Sequence, residues 1–249
     1  MILGIDIGNS NIVIGLIDKQ GVINKECYET SKEIQYEEYI RKIIGSNNIT
    51  GIIISSVVPK INEIIEQTAI NICGKTPIFV NSELNLGITI KYDNPQKLGA
   101  DLISVAVGAV AKYKGPVIVI DIGTATTFSV INGNKEYLGG MIAPGPHTSM
   151  KALASMTAQL PEIELTTTNK VIGTNTIDCM KIGITTAHAA MIDEMLERVL
   201  NELNENEVKI IATGGGAKKI IDMCTHKIIW DENIIFDGLY EIYQNNIQC

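Results

Sequence analysis

The chain carries a duplication at the scale of a domain. Residues 2–10 read ILGIDIGNS and residues 117–125 read VIVIDIGTA, so Asp6 is matched by Asp121, 115 positions on, in a chain of 249. Each copy is an apolar, β-branched run closing on Asp-Ile-Gly. Small polar residues follow, then a second apolar run, NIVIGLID in the first copy and TTFSVIN in the second. Repeats of roughly 20–50 residues would build a solenoid; one duplication near half the chain length instead requires two similar halves. The cut falls at Gly115-Pro116, giving an N-terminal domain over 1–114 and a C-terminal domain over 115–249.

The patterning between the two copies agrees with this division. Apolar runs split by Gly-Asn and Gln-Gly turn signals predict strands at 2–7, 11–18 and 21–28. A helix is expected over about 34–45, a buried strand over 51–57, and a helix from Pro59 to about Ile72 with Ile61, Ile64, Ile65 and Ala69 on one face. One long helix is expected over 95–113, starting at Pro95. The second half repeats the plan, with strands at 117–121, 126–132 and 135–142 and helices at about 146–156 and 175–203. A strand at 208–212 then enters the glycine turn 214–216, a helix leaves it, and a last helix runs over about 233–246. Three antiparallel strands lead each half, and strands interleaved with helices define an α/β class of mixed sheets flanked by helices.

Composition removes several function classes. With 45% hydrophobic and 19% charged residues the chain can bury a core, which excludes disordered and low-complexity classes. Acidic residues outnumber basic ones, 28 to 20, for a net charge of −8 without a basic patch, which disfavours nucleic acid and anionic membrane partners. The five cysteines, Cys27, Cys73, Cys179, Cys224 and Cys249, form no CxxC pair, so neither a disulfide framework nor a zinc site is expected. Reduced thiols point to the cytoplasm. The three histidines, His147, His188 and His226, lie too far apart in sequence for a histidine metal cluster; His147 is expected to cap a helix or lie at an interface, and His188 to be packed or partly exposed. The first residues carry Asp6 and no basic leader, which is not the pattern of a signal peptide. The longest uncharged run, Ile43 to Pro59, is interrupted by Gly45, Asn47, Asn48, Thr50 and Gly51, short of the roughly 18 apolar residues that a membrane helix needs.

The repeated turn has chemical content. An aspartate ending a buried strand stands at the carboxyl end of the sheet, where open α/β sheets bind ligands. The glycine after it lets backbone amides approach an anion, and the small residues that follow add donors: Asn9, Ser10 and Asn11 in the first copy, Thr124, Thr126 and Thr127 in the second. Two such turns facing across a cleft could hold a polyphosphate and its metal, with Asp6 and Asp121 meeting magnesium or a monovalent cation directly or through water. A third glycine turn, ATGGGAKKI at 212–220, offers flat contact with a nucleobase and ribose.

These motifs together resemble the acetate and sugar kinase/Hsp70/actin superfamily, and within it the type III pantothenate kinases. Four segments carry the resemblance: DIGNSNIVIG (6–15), YDNPQKLGADL (92–102), DIGTATT (121–127), and GGMIAPGPHTSMKALASMTAQLP (139–161) followed by IGTNT (172–176). The resemblance implies duplicated actin-like, ribonuclease H-like domains with a nucleotide cleft between them. It implies ATP-dependent phosphorylation of the primary hydroxyl of pantothenate to 4'-phosphopantothenate, the first step towards coenzyme A, by a cytoplasmic homodimer. It implies that Asp101 is the general base, and that Asp6, Gly8, Asn9, Ser10 and Asn11 bind ATP phosphate and magnesium. Gly123, Thr124 and Thr127 would also contact ATP, Asp121 would hold potassium or ammonium, and Gly214 and Gly215 would lie by adenosine. Tyr92, Gly99, Ala100, Asp101 and Leu102 would contact pantothenate, joined by Thr176 from the second subunit.

The chemistry is coherent: phosphoryl transfer depends mainly on positioning and charge neutralisation, and a carboxylate near the acceptor hydroxyl can take its proton. Read alone, Asp101 could equally be a solvated first-turn residue favoured by the helix dipole; Tyr92, Asn94, Pro95, Gly99 and Asp101 together favour the base. The chain departs from the family pattern at Leu102, where arginine is usual, at Lys97 and Val105, and across KIGITTAHAAMID (181–193), which lacks several family glycines. A guanidinium can grip a carboxylate as leucine cannot. The departures therefore keep open a kinase of another small alcohol, with Lys91 or Lys97 supplying charge. A nucleotide-binding regulator without turnover is a third reading. Trp230 is expected to pack at the start of the last helix, and the acidic run 201–207 to be a solvated helix end.

Overall fold

A computed structural model describes residues 1–30, 35–168 and 170–247. The expected helix start at residue 34 and Cys249 lie outside the described residues. In chain order the elements are β1 (Ile2–Ile7), β2 (Asn11–Asp18), β3 (Gly21–Glu29), α1 (Tyr36–Ile44), β4 (Gly51–Ser56), α2 (Pro59–Cys73), β5 (Ile78–Phe79), β6 (Thr89–Ile90) and α3 (Ala100–Tyr113). They continue with β7 (Val117–Ile122), β8 (Ala125–Ile131), β9 (Glu136–Pro144), α4 (Pro146–Met156), α5 (Thr176–Leu203), β10 (Lys209–Thr213), α6 (Ala217–Ile221), β11 (Ile229–Trp230) and α7 (Ile234–Ile247).

The chain divides into two compact units. The first comprises Met1–Lys114, Lys135–Leu138 and Asn233–Cys249; the second comprises Gly115–Asn134 and Gly139–Glu232. The sequence reading placed everything after residue 114 in the second half, but α7 clusters with the first unit. The reason is packing: α7 lies along α3, and its Phe236 covers Gly4 of β1 and Gly15 of β2.

The first unit holds a sheet in the order β3-β2-β1-β4-β5. The strand pair β1 and β2 is antiparallel, and β4 runs parallel to β1 on its other side. Alternation along β1 sends Leu3, Ile5 and Ile7 to one face, where with Ile52 and Ile54 of β4 they form a core with Ile40 and Ile43 of α1 and Ile61 and Ile65 of α2. Gly4 and Asp6 fall on the opposite face, the one that α7 covers at Gly4. The second unit repeats the scheme with the order β11-β10-β7-β8-β9. Here β7 pairs antiparallel with β8 and parallel with β10, and Ile118, Ile120 and Ile122 pack with Ala189, Ile192 and Leu196 of α5. The short β6 pairs parallel with the first residues of β9 at Glu136 and Tyr137, within the first unit.

Two expectations need correction. The helix expected over 95–113 is broken: Pro95–Lys97 is a single 3-10 turn, Leu98 and Gly99 are extended, and α3 begins at Ala100. Leu98 leaves the helical path to bury its side chain. Trp230 belongs to β11, paired with Ala212 of β10 and packed on the second core, before α7 begins.

Candidate active site

In the first unit the site is built at the carboxyl ends of β1 and β4. Asp6 lies in a cross-strand row between Val13 of β2 and Ser55 of β4, so the three side chains share a face. Ser55 is buried and its Oγ donates to Asp6 Oδ1 at 2.8 Å. The turn after β1 closes with Gly8 N–H donating to the Asn11 carbonyl at 2.9 Å. Thr30 ties it from the side, donating from Oγ1 to the Gly8 carbonyl at 2.8 Å and from its N–H to the Ser10 carbonyl at 2.9 Å. Asn9, Ser10 and Asn11 remain exposed on a turn whose backbone is held.

Asp101 occupies the first turn of α3. The break at Leu98 and Gly99 makes this position a helix N-terminus instead of a helix interior, and Asp101 Oδ1 accepts the Leu102 N–H at 2.8 Å. Burial raises its carboxyl above the usual 3.8, against the lowering effect of backbone hydrogen bonds from Leu102 and its own amide. It is thus a half-buried, desolvated acid and not the solvated first-turn residue that its sequence position alone would allow. Glycine at 99 has a steric cause: a Cβ there would stand 2.4 Å from Asp101 Oδ1, so any side chain would push the carboxylate away. The same Cβ would lie 3.7 Å from Val57 Cγ1, and the Val57 N–H donates to the Ile7 carbonyl at 3.0 Å. That hydrogen bond ties residue 57, which lies near Gly99, to the end of β1, one residue past Asp6.

The second unit presents the matching construction with differences. Asp121 of β7 is half-buried and pairs in register with Thr127 of β8 and Thr213 of β10. Gly214 follows Thr213 with φ +97, and a Cβ there would lie 2.4 Å from Asp121 Oδ1 and 2.5 Å from the Ile122 carbonyl oxygen, so only glycine fits. Gly215 is exposed beside it. Gly123 N–H donates to the Ala125 carbonyl at 2.9 Å, a turn one residue shorter than that of the first unit. The shortening changes which threonines face where. Thr127 shares the Asp121 face, while Thr126 pairs with Ile122 and faces the core, fully buried, with Oγ1 2.9 Å from His188 Nε2. Thr126 therefore offers no donor to a ligand, contrary to the expectation from the motif. Thr124 is exposed, and its carbonyl accepts from Gly145 N–H at 3.0 Å and from Thr148 Oγ1 at 2.5 Å.

The residues expected to contact the acceptor are less concentrated. Tyr92 is exposed and sets its ring edge-on to Tyr137, 6.4 Å between centroids. Leu102 is half-buried and uncharged; Lys91 is engaged by Glu136 at 3.1 Å, and Lys97 lies exposed in the 3-10 turn. Thr176, exposed, opens α5, whose N-cap Asn175 accepts the Asp178 N–H at 2.9 Å. His147 is exposed in the first turn of α4. Among the described residues no group of three or more His, Cys, Asp or Glu side chains could hold a metal ion. The motifs did not reveal Ser55, Thr30, Thr148 or Thr213. The only signal for Ser55 and Thr213 is a hydroxyl ending an apolar strand, level with an aspartate.

The comparisons with known proteins decide the family. The family model described as type III pantothenate kinase matches residues 2–198. The chain is 38% identical to a type III pantothenate kinase of Halalkalibacterium halodurans, over 99% of this chain and 100% of that one. It is 36% identical to the namesake of Exiguobacterium sibiricum, with 99% and 100% covered. The chain belongs to the type III pantothenate kinase family. Solved structures place this kinase in the duplicated actin-like fold. One described as a Baf family transcriptional activator from Campylobacter jejuni superposes with TM-score 0.66 at 22% identity, over 99% of this chain and 100% of that one. A ROK family glucokinase from Streptomyces griseus, in complex with glucose and AMPPNP, gives 0.59 at 13% identity, over 100% and 99%. At these identities the likeness concerns the fold alone. No helix among the described residues of the kinase is long and apolar enough to cross a membrane.

Proposed function

We propose that the chain catalyses ATP-dependent phosphorylation of pantothenate with Asp101 as the base. The pantothenate primary hydroxyl oxygen bonds to the γ-phosphorus, the bond from that phosphorus to the bridging oxygen of ADP breaks, and the hydroxyl proton passes to the Asp101 carboxylate. The observation that carries this reading is the placement of Asp101: a desolvated carboxylate fixed at a helix N-terminus, with glycine beside it to leave it room. A raised carboxyl is better matched to receiving a proton than a solvated one.

Asp6, Gly8, Asn9, Ser10 and Asn11 bind phosphate in this reading, as do Gly123, Thr124 and Thr127, with Gly214 and Gly215 beside adenosine. Asp6 suits a divalent ion carried by the nucleotide: one of its oxygens already accepts from Ser55, and among the described residues it belongs to no group of three or more His, Cys, Asp or Glu side chains that could hold a metal ion. Magnesium of this kind uses few protein carboxylates, keeps several waters, and neutralises developing phosphate charge. Asp121, against which Gly214 packs closely, is the residue for potassium or ammonium. Tyr92 and the segment Gly99–Leu102 contact pantothenate. The test is product formation with ATP, magnesium and pantothenate, followed by mass spectrometry. We expect phosphopantothenate, with more of it in potassium or ammonium than in sodium. ATP binding without phosphopantothenate would overturn the assignment and favour a regulator.

Thr176 acts across a homodimer in this proposal. Its support is a set of exposed apolar side chains in the second unit: Ile142 (73%) on β9, Met156 (84%) on α4, and Val171 (73%) and Ile172 (77%) before α5. A second copy covers them. Light scattering at micromolar concentration should give a dimer, and Ile172→Asp should shift it towards monomer with loss of activity; a monomeric parent would end the idea. The free thiols Cys27, Cys73, Cys179 and Cys224 suit the cytoplasm.

A further inference from the structure

The two turns of the duplication are held in different ways. In the first copy the residue that pairs with Ile7 is Ile12, an apolar side chain buried in the core. In the second copy the equivalent pairing, with Ile122, is made by Thr126, buried just as fully. A hydroxyl in place of isoleucine needs a partner, since an unpaired buried polar group is unfavourable. His188 supplies it from α5, itself buried, with Nε2 2.9 Å from Thr126 Oγ1. Burial lowers the imidazole pKa, so the ring is neutral and offers one donor and one acceptor. The other side of the same turn is held from α4, where Gly145 and Thr148 both donate to the Thr124 carbonyl.

We propose that His188 is a positioning residue for the nucleotide: through Thr126 it fixes the backbone of the turn 123–127, so that Thr124 and Thr127 meet the phosphates in one geometry. The inference rests on reading that turn as a phosphate site. The first turn has isoleucine at this position, and its clamp is Thr30, the residue just past β3. A packing role alone would be met by the isoleucine that the first copy uses. The polar pair instead gives the short second turn a directional anchor.

Steady-state kinetics of the full-length protein, with ATP and pantothenate varied separately, tests this. Thr126→Val keeps the side-chain shape and removes the bond. It should raise the KM for ATP about tenfold, the worth of one buried hydrogen bond, with the KM for pantothenate unmoved. His188→Leu should do the same, and the double variant should be no worse than either single one, because both break one bond. Thr126→Ser and His188→Gln, which keep a hydroxyl and a side-chain nitrogen at the bond, should restore most of the ATP affinity. If leucine at 188 prevents folding, Thr126→Val decides alone. A folded Thr126→Val with unchanged KM for ATP overturns the proposal, as does a loss shared equally between the two substrates. Thr127→Val, which removes a hydroxyl the reading gives to the phosphates, separates the two levels: if it leaves the KM for ATP unchanged, the assignment of the turn to the nucleotide is what fails.

Discussion

Asp101→Asn should lose turnover by about 10²–10⁴-fold, the usual worth of a positioned general base, while the protein melts no lower than the parent. The two halves of this prediction share one cause. Burial raises the Asp101 carboxyl, so the folded state binds its proton more tightly than the unfolded chain does. By linkage, stability falls as pH rises from the unfolded-state pKa through the folded-state one, and the penalty is present in full above the latter. Asparagine removes the charge and keeps an oxygen that can accept the Leu102 N–H. Function and stability therefore move in opposite directions, as expected of a group placed for chemistry. The same shift moves the acid limb of kcat/KM above the ordinary aspartate value of 3.8. Rates followed by mass spectrometry, with a thermal melt, check both halves. Turnover within an order of magnitude of the parent would remove Asp101 from the mechanism, and a clear drop in melting temperature would contradict the account of its burial.

The largest stability effect is expected at Gly238→Ala. In an exposed helix this change adds up to about 1 kcal/mol through helix propensity. Here the new Cβ would lie 1.8 Å from the Ser104 carbonyl oxygen and 3.0 Å from the Gly108 amide nitrogen. The crossing is reciprocal, since a Cβ at Gly108 would lie 2.1 Å from the Ile234 carbonyl oxygen. Backbone faces backbone, so no side chain can rotate away and α3 and α7 must separate. Overpacking of this kind costs about 1–3 kcal/mol or more, which outweighs the propensity gain. We expect a net loss of about 2 kcal/mol and a melting temperature lower by about 4–8 °C for a chain of this size. Ser104 lies one turn beyond Asp101 on α3, so catalytic rate should fall along with stability. A Gly238→Ala protein that melts at or above the parent would show that the crossing is looser than described.

Much of this arrangement can be read from the chain itself, and the reasons for the remainder are physical. The Asp-Ile-Gly repeat is legible because both copies end a buried strand in a tight hydrogen-bonded turn, so the same residue types occur twice. Strands and helices longer than a few residues carry a period; β5, β6 and β11 have two residues each and carry none. Pro95 starts a 3-10 turn as a good N1 residue should, but the break at Leu98 and Gly99 follows from the need to bury Leu98 and to clear the Asp101 carboxylate, both tertiary facts. Ser55 and His188 act on residues 49 and 62 positions away, the first pairing set by the register of β1 with β4 and the second by the packing of α5 on the second sheet. The offset of one residue between the two turns was hidden because the motifs align without a gap, and it decides that Thr126 faces inward.

Because the last helix belongs to the first unit, the order of synthesis and the order of completion are reversed. Residues 1–114 leave the ribosome first, yet Gly4 of β1 packs against Phe236, and Ser104 and Gly108 of α3 against Gly238 and Ile234, all of them in α7. All of the second unit, ending at Glu232, has by then been made. A nascent chain stopped anywhere short of α7 would hold Asp101 on a helix without its packing partner. The segment Ile234–Ile247, remote from every sequence motif, thus completes the packing of the helix on which Asp101 stands.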